Sequence, residues 1–438
     1  MATMIGSKKA SYIVAACAMT ASTATVAQTV NTPIPVLPSD YPTERVSVAD
    51  RFRPEYQSDG IRMGLFSVRP SLSAGGGYIS NVYGSENSAA DDVYALINPS
   101  VSIEANPEGQ GGATVVGQID AMLRRYAQQD RANESAFGGQ LSGTLPLGGE
   151  TSLSAGTSLR RRYERQDSGS FPAAAIAPIR YDDYTGFVRF RTGGSRIRVI
   201  AGADVSRDNF SNARLADGTS FDQSYRNRTV IRGSGRVEAS FTGAAAAFVE
   251  GRYSDINYER FFLSPTVRNR DGNQKEVLAG LRIDSGKLRG VVSAGYSRRD
   301  FDANIYRNFG GLAVNGELTY YASGITTYTL NVYRNIAESG DPSVSAQFGT
   351  GAALRVDHEL LRYIILSGRA GYDSFSYRGQ DRKDNVASVG GGIRYLMNRH
   401  FEISLDADYV KRTSSGAASV FAPEFNRFQG GLNLIAKL

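Results

Sequence analysis

Three residue types are almost missing from the 438-residue sequence, which has no tryptophan, one cysteine and two histidines. Cys17 lies near the N-terminus, so the rest of the chain can form no disulfide and offers no thiol nucleophile. His358 and His400 fall at predicted turns, and neither has the partners that histidine-assisted catalysis requires. We therefore expect a protein that is not an enzyme and that uses no metal ion or other cofactor.

Lysine is also scarce, since only seven of the 49 basic residues are lysines and the others are arginines. The formal net charge is +6, but the basic residues are spread along strand-like segments without a lysine-rich tail or a nucleic-acid-binding motif. We expect no nucleic-acid partner. Arginine is the planar, bidentate partner of carboxylates and phosphates, so its excess indicates that pairing with anions is important here.

Long apolar runs are absent beyond the N-terminus, so no segment reaches the roughly 20 residues that a membrane-spanning helix needs. Lys8 and Lys9 precede an apolar stretch and small residues ending at Ala27, which predicts a signal peptide over residues 1–27. The tetrapeptide ending at Cys17 resembles a lipoprotein cleavage site and leaves lipidation as an alternative. Residues 28–63 are rich in proline and predict a periplasmic linker or strap.

Residues 64–438 show a sustained alternation of apolar and polar side chains. Phe401 and Leu405, for example, alternate with Glu402 and Asp406, as in a strand with one apolar and one charged face. Eighteen such segments are predicted, at 66–78, 93–106, 112–126, 135–147, 151–163, 183–192, 196–206, 225–240, 244–254, 275–284, 288–298, 310–320, 326–336, 343–357, 363–373, 386–396, 401–411 and 426–438.

These segments suit a membrane, because about 9 to 11 residues of tilted strand cross the hydrocarbon. Short connections such as 148–150 and 285–287 mostly alternate with long ones such as 164–182 and 255–274. Outer-membrane barrels have short periplasmic turns and long outer loops. The predicted fold is therefore an all-β, transmembrane antiparallel β-barrel of about 18 strands, or about 16 as the alternative, over residues 64–438. The predicted location is the outer membrane of a Gram-negative bacterium.

The apolar face of the predicted strands carries tyrosines near their outer ends, at one level along the barrel axis. Aliphatic or small residues such as Val199 and Leu405 occupy the same face closer to the middle of the strands. A tyrosine at the membrane boundary places its ring in lipid and its hydroxyl in water. The predicted lipid-interface girdle comprises Tyr78, Tyr163, Tyr253, Tyr296, Tyr372 and Tyr409.

The polar face is predicted to line a water-filled lumen, with arginines on neighbouring strands and acidic residues between them. The predicted pore-lining residues are Arg160, Arg162, Arg189, Arg191, Arg198, Arg228, Arg232, Arg236, Arg252, Glu402, Asp406 and Asp408. One interpretation is a ladder of guanidinium groups that offers weak, exchangeable contacts to anions. The other is a structural network of arginines paired with lumenal carboxylates.

The region Val48–Gly84 resembles the segment that leads into the barrel in a family of porin-like outer-membrane β-barrels from alphaproteobacteria. The matching elements are Asp50-Arg51, Arg53-Pro54-Glu55-Tyr56, Gly60-Ile61-Arg62, Pro70-Ser71 and Asn81-Val82-Tyr83. Ser80 stands where the family usually has an acidic residue. The resemblance implies a β-barrel and an association with exopolysaccharide or capsule production.

The leading functional hypothesis is an outer-membrane channel that passes anionic solutes or an acidic exopolysaccharide through an arginine-biased lumen. The alternative is a non-conducting barrel that acts as a structural or assembly partner in envelope polysaccharide production. The expected partners are outer-membrane lipid and lipopolysaccharide. Acidic polysaccharide, small anions and periplasmic polysaccharide-export proteins are further candidates.

Overall fold

The computed structural model describes residues 46–106, 112–165, 167–168, 171, 175–215, 218–416 and 424–438. The predicted signal peptide, residues 1–27, and the first part of the predicted linker lie outside these ranges, so both stay predictions. The described part contains two short 3-10 turns, Asp130–Ala132 and Ser224–Arg226. Among the described residues, no helix is long and apolar enough to cross a membrane.

Eighteen long strands form the wall of the molecule. They are β1 Phe66–Ile79, β2 Asp92–Ala105, β3 Thr114–Tyr126, β4 Glu134–Gly148, β5 Thr151–Glu164, β6 Ile179–Gly193, β7 Ile197–Phe210, β8 Arg228–Thr242, β9 Ala245–Tyr258, β10 Gly272–Asp284, β11 Leu288–Phe301, β12 Phe309–Ser323, β13 Thr326–Ala337, β14 Gln347–Leu361, β15 Ile364–Tyr377, β16 Lys383–Leu396, β17 Phe401–Ser415 and β18 Phe425–Lys437.

The strands form one closed antiparallel sheet. Each strand pairs with the next, and β1 also pairs with β18, for example Tyr78 with Gly430. The predicted barrel of about eighteen strands is thereby confirmed. A short strand, Ile61–Met63, folds back on the start of β1 and adds an extra pairing at this end of the wall.

The alternation seen in the sequence separates the two faces of the wall. On β17, Leu405 is 49% exposed and Glu402 is 3% exposed. On the Glu402 face, side chains reach across an intervening strand, as Arg369 of β15 does to Asp408 of β17. Such contacts form on the concave side of a curved sheet, so the polar face lines the lumen and the aliphatic face points outward, toward lipid.

The strands extend further at the outer end than the sequence predicts. β6 begins at Ile179 rather than at 183, and the predicted loop 374–385 shrinks to 378–382. Beyond the girdle level the outward face becomes charged, as in the pair of Arg161 and Asp182, whose Nε–Oδ1 distance is 2.8 Å. The apolar alternation therefore ends there, although the backbone pairing continues.

The packed apolar core lies inside the outer end of the barrel. Val344, from the connection after β13, packs with residues of β15–β17, namely Phe375, Tyr377, Val386 and Val410. Phe171, from the connection after β5, packs with a second group, Ala175, Ile179, Tyr181, Phe210 and Ala213. Loop side chains thus pack against the wall inside the outer mouth, whereas polar side chains line much of the lumen below it.

Candidate functional site: the barrel lumen

Lumenal side chains of β3 and β5 meet across β4 because β4 has a glycine at the crossing point. Arg160 of β5 lies 3.4 Å from Asp120 of β3, between Nη1 and Oδ1. A Cβ on Gly138 of β4 would come within 3.1 Å of Arg160 Nη1 and 3.4 Å of Asp120 Oδ2. The glycine therefore leaves the space that this ion pair occupies.

The same arrangement recurs elsewhere in the described part of the lumen. In each case a polar pair joins strands two positions apart over a glycine of the strand between them. The pairs are Arg369–Asp408 over Gly390, Tyr333–Asp373 over Gly351 and Tyr94–Gln429 over Gly77, with distances of 2.6, 2.6 and 3.2 Å. A larger residue at these glycines would meet the side chains that cross them, which explains glycine in the interior of a strand.

Ion pairs are frequent among the predicted pore-lining arginines. These are Arg160 with Asp120, Arg162 with Asp183, Arg198 with Glu150 and Glu238, Arg228 with Asp208, Arg232 with Asp204, Arg236 with Glu238 and Glu250, and Arg252 with Glu250 and Glu276. Arg189 and Arg191 lie on the lumenal face of β6, and Arg189 lies 5.9 Å from the centre of the Phe187 ring. Cations and carboxylates are therefore interleaved along this wall.

Burial divides these arginines into two groups. The side chains of Arg160, Arg162 and Arg198 are 26, 30 and 22% exposed, so water reaches them. Arg228, at the outer end of β8, is 5% exposed and binds Asp208 at 2.8 Å. The first group is accessible to a solute in the lumen, whereas Arg228 belongs to the packed outer mouth.

Opposite walls of the lumen carry different charges below the outer mouth. The lumenal face of β5–β7 carries five arginines and three carboxylates, which are Arg160, Arg162, Arg189, Arg191, Arg198, Asp183, Asp204 and Asp208. Halfway round the barrel, β15–β17 carry four carboxylates and two arginines, which are Asp373, Glu402, Asp406, Asp408, Arg369 and Arg394. The ion pairs therefore leave a charge difference across the lumen.

The predicted acidic residues of β17 differ in their accessibility. Asp406 and Asp408 both lie within ion-pair distance of Arg369, at 3.6 and 2.5 Å. Glu402 is buried near the periplasmic end and pairs with Arg394 and Lys437. All three face the lumen, as the sequence predicts, and their pore-lining role stays a prediction, as does that of the arginines.

The outer mouth contains fully buried charges that the sequence analysis missed. Asp384 is inaccessible to water and binds Arg382 at 2.6 Å and Arg412 at 2.7 Å. Glu164 receives both terminal nitrogens of Arg226, each at 2.8 Å. Arg226 was predicted within a strand over 225–240 but lies in the turn before β8. Asp384 and Arg412 lie just outside the predicted strands 386–396 and 401–411, although the structure includes both in strands. The alternation carries no information on which positions at this end of the barrel are covered by loops.

Described residues of the connection after β5 contact a separate arc of the barrel wall. Asp167 binds Arg427 of β18 at 2.7 Å, and the Ser168 carbonyl accepts a hydrogen bond from Arg412 of β17 at 3.1 Å. Asp167 and Arg427 are both buried. These contacts connect strands on separate arcs of the barrel wall and reduce the opening between them.

The connection after β13 makes a second set of crossing contacts. Arg270, which is fully buried, donates to the carbonyls of Ser339 and Val344 at 2.8 and 3.0 Å. The Tyr258 hydroxyl donates to Glu338, which also pairs with Arg299 at 3.4 Å. Together the two connections place buried charge pairs within the outer mouth.

The loop carboxylates stay ionised because neighbouring cations outweigh burial. Burial alone would raise the pKa of Asp167, but Arg427 and Arg165 hold this pKa below its ordinary value. Burial likewise opposes ionisation of Glu338. The nearby arginines, of which Arg299 has the largest effect, lower its pKa. The outer mouth is therefore held by charge pairs at neutral pH.

The predicted girdle tyrosines lie on the outward face of the barrel. Tyr78, Tyr253, Tyr296, Tyr372 and Tyr409 are exposed there. Tyr163 differs, because it lies beyond the charged Arg161 on β5 and its hydroxyl accepts a hydrogen bond from the Ser135 amide at 3.1 Å. The role of the six residues at the lipid boundary stays a prediction.

The described end of the predicted linker lies in the periplasmic mouth. The fully buried Val48 donates its amide hydrogen to Thr327 of β13 at 3.2 Å, and Arg53 binds Glu359 of β14 at 2.6 Å. Exposed pairs with the short turns follow, Glu55 with Arg362 and Asp59 with Arg399. The domain boundaries predicted from the sequence stay predictions.

The motif Asn81-Val82-Tyr83 forms the start of the first outer loop. Asn81 has a left-handed backbone, with φ of 54°, and its side chain binds the Ser85 amide at 2.8 Å and the Asn426 carbonyl at 3.1 Å. Ser80 accepts a hydrogen bond from the Phe428 amide at 2.8 Å. This segment therefore ties the outer end of β1 to β18 at the closure of the barrel.

The two histidines have hydrogen-bonding roles near the periplasmic end. His358 lies inside β14, rather than at a turn as predicted, and its Nδ1 is 2.9 Å from the Thr326 hydroxyl. His400 lies 3.1 Å from the Lys437 carbonyl. Among the described residues, no group of histidine, cysteine, aspartate and glutamate could hold a metal ion. The expected absence of enzyme activity, metal and cofactor stays a prediction.

A family model described as "Putative beta-barrel porin 2" matches residues 53–436. The chain belongs to this family. It is a porin-like β-barrel protein of the Gram-negative outer membrane. No curated protein matches the sequence.

Solved structures similar to this porin-like barrel include a siderophore receptor and a porin. The siderophore receptor PiuA from Acinetobacter baumannii is 10% identical, with 87% of this chain and 82% of that chain covered and a TM-score of 0.44. A BenF-like porin from Pseudomonas fluorescens is 8% identical, with 85% and 99% covered and a TM-score of 0.44. Likenesses at this level carry no argument about the solute.

Proposed function

We propose that this porin-like barrel is a channel that passes anionic solutes or an acidic polysaccharide along the arginine-rich wall of β5–β9. The observation that supports the proposal is the uneven charge of the lumen below the outer mouth. Arg160, Arg162 and Arg198 are partly exposed on this wall, and the opposite wall carries Asp406 and Asp408. An anion is therefore attracted to one side of the lumen and repelled from the other.

The ion pairs of the lumen suit the passage of an anion rather than its retention. A carboxylate or phosphate that reaches Arg160 competes with Asp120, a partner of the same charge that is already 3.4 Å away. Each contact is thus an exchange between two acceptors in a wet lumen, and its net free energy is small. A row of such arginines offers successive weak sites, as conduction requires.

Ion selectivity in planar bilayers tests the proposal. The wild-type protein should conduct and prefer anions, as measured by the reversal potential in a salt gradient. The triple variant R160Q/R162Q/R198Q should lose this preference, whereas D406N/D408N on the opposite wall should increase it. Equal selectivity in all three proteins, or a preference for cations in the wild type, contradicts the arginine wall as a selectivity element.

A non-conducting barrel that supports assembly of envelope polysaccharide is the second candidate. The buried pairs of the outer mouth favour it, because Asp167 and Arg427 join separate arcs of the wall across the opening. This candidate predicts silence in the same bilayers at any salt gradient. Association with exopolysaccharide production and with periplasmic export proteins belongs to either proposal, and co-purification with such proteins tests it.

A further inference from the structure

Charged side chains on the outward face of the described strands lie only near the outer end of the barrel. By strand alternation, the outward positions of the eighteen strands carry nine basic and three acidic residues, each in the outer part of its strand. The outward positions nearer the periplasm carry no arginine, lysine, aspartate or glutamate. The basic residues are called the outer cationic belt here and are Arg125, Arg161, Arg180, Arg207, Lys275, Arg298, Arg334, Lys383 and Lys411. The acidic residues are Asp182, Asp255 and Asp300, so positive charge is in excess at this end.

The outer cationic belt stands just beyond the predicted girdle tyrosines. Arg298 is two positions further out on β11 than Tyr296, and Lys411 is two positions further out on β17 than Tyr409. Two residues along a strand span about 6.6 Å. With the tyrosine rings at the lipid boundary, the cations therefore stand at the depth of the lipid headgroups.

Lys275 of β10 and Arg298 of β11 form a compact pair of cations within the belt. They are directly opposite each other in the β10–β11 pairing, and their side chains are 56 and 57% exposed. Asp300 lies 3.3 Å from Lys275 Nζ and 2.7 Å from Arg298 Nε. Two cations and one carboxylate leave this group with one positive charge in excess. Like charges at directly opposite positions repel, so an added anion would stabilise the pair.

Cations elsewhere in the belt also keep their charge on an open surface. Arg125 and Arg180 are exposed and donate to the hydroxyls of Ser135 and Ser211 at 2.8 and 2.9 Å. A serine hydroxyl carries no charge, so these contacts orient the guanidinium groups without neutralising them. Lys383 and Lys411 are likewise exposed, on the adjacent strands β16 and β17. The belt therefore offers positive charge on several arcs of the barrel.

The position of the belt selects one class of partner. Val277, two positions inward from Lys275 on β10, is 62% exposed on the same face. A partner that fits presents acyl chains to this aliphatic surface and negative charge to the belt. Lipopolysaccharide combines acyl chains with phosphate groups and forms the outer leaflet of the Gram-negative outer membrane, whereas phospholipid faces the periplasm. The restriction of the cations to the outer end matches lipopolysaccharide.

We infer that the outer cationic belt binds the phosphate groups of lipopolysaccharide, with Lys275 and Arg298 together forming one phosphate site. The ammonium and guanidinium groups donate charge-assisted hydrogen bonds to the phosphate oxygens, and arginine matches the geometry of a phosphate with two parallel donors. Each cation adds electrostatic attraction to an anionic lipid surface. The inference goes beyond the proposed channel function and does not depend on it, because it concerns the outside of the barrel.

Acetylation of lysine side chains in the detergent-solubilised full-length protein tests the site, with peptide mass spectrometry as the readout. Bisphosphorylated lipid A, the lipid part of lipopolysaccharide, should slow the acetylation of Lys275, Lys383 and Lys411 by about fivefold or more. Lys287 is the internal control, because it is exposed in the periplasmic turn between β10 and β11 and should react at an unchanged rate.

A pair of variants tests the cooperation of Lys275 with Arg298. R298Q removes one cation of the phosphate site and should reduce the protection of Lys275 by lipid A, while the protection of Lys411 stays as in the wild type. The matched control R362Q removes an exposed arginine at the periplasmic end and should leave the protection of both lysines unchanged. The shift between folded and heated bands on electrophoresis verifies that each variant has folded.

Two further lipids distinguish phosphate recognition in lipopolysaccharide from other contacts. Lipid A from which both phosphates have been removed should give little protection, and equal protection by it would overturn the inference in favour of acyl-chain contact. Equal protection by phosphatidylglycerol would overturn the assignment to lipopolysaccharide, because the belt would then bind any anionic lipid. Unprotected belt lysines in the wild type, or protection of Lys287 equal to that of Lys275, would also overturn it.

Discussion

The outer mouth and the lumen below it use the same residue types, arginine and carboxylate, in opposite ways. Asp384 in the mouth is inaccessible to water and holds Arg382 and Arg412, whereas Asp120 in the lumen is 31% exposed beside Arg160. A buried charge must be satisfied by the protein, but water or a solute can replace the partner of an exposed one. Burial, rather than residue type, therefore separates structural pairs from exchangeable ones.

The largest expected effect comes from removing a buried carboxylate of the mouth. D384A leaves Arg382 and Arg412 without their shared partner and should lower the free energy of unfolding by about 3 to 5 kcal/mol. Urea unfolding of the protein in lipid vesicles measures this change. The lumenal control D120A should cost about 0 to 1 kcal/mol. Equal losses in the two variants would contradict the claim that buried pairs of the mouth stabilise the fold more than exposed pairs of the lumen.

The glycines that lie under crossing pairs give the next largest effect. In G390A the new methyl group overlaps Asp408 and disturbs its bond to Arg369, so we expect a loss of about 1 to 3 kcal/mol in unfolding free energy. Gly368 of β15 has open space where a Cβ would stand, so G368A should change stability by about 0.5 kcal/mol or less. If both variants unfold alike, lumenal glycine has no role in the crossing pairs.

Acid should loosen the contacts of the loops in the outer mouth. The pKa values of Asp167 and Glu338 are lower in the folded protein than their ordinary values, so their stabilising contribution is present above those ordinary values. It is lost as the pH falls through the folded pKa values, below about pH 4. The protection of the amides of residues 338–346 against hydrogen exchange, relative to the intrinsic exchange rate at each pH, should therefore fall as the pH is lowered below the ordinary values of 3.8 and 4.5. E338Q should already have low protection at neutral pH, and a wild type whose protection does not change in acid would argue against a stabilising role of these charge pairs.

The smallest effect is expected at the periplasmic surface. Glu55 pairs with Arg362 while both are largely exposed, so E55A should leave both urea unfolding and protease resistance of residues 46–60 unchanged. E359A is the contrasting variant, because it removes the partner of the buried Arg53 and should release this segment to protease. If protease cleaves E55A as fast as E359A, the exposure of an ion pair does not determine how strongly it holds residues 46–60 on the barrel.

Most of the wall could be predicted from the sequence, because the two-residue period of a strand is local. Leu405 and Asp406 are adjacent and point to opposite faces whatever the rest of the chain does. The same period placed Arg160 and Arg198 on the lumenal face. It failed at the outer ends, where Arg161 and Asp182 are charged although they point outward, and it could not distinguish covered lumenal positions from open ones.

The outer mouth was missed for a physical reason. Asp167 and Arg427 are separated by 260 positions, and they meet because a connection folds back into the barrel. Asp384 gives no local sign that it is buried, since a lumenal carboxylate in water has the same neighbours in the sequence. The burial of Asp384 depends on Arg412 from the next strand and on the crossing connection after β5, which also binds Arg412.

The sequence alone was sufficient for the all-β barrel of about eighteen strands and for the face of the charged side chains inside the predicted strands, because strand alternation and turn spacing are properties of neighbouring residues. Only the tertiary structure decided which lumenal charges are removed from water and which side chains cross a glycine to reach a partner two strands away. Those properties depend on curvature and on loops that fold inward. They arise from distances between residues that the chain brings together only when the barrel has closed.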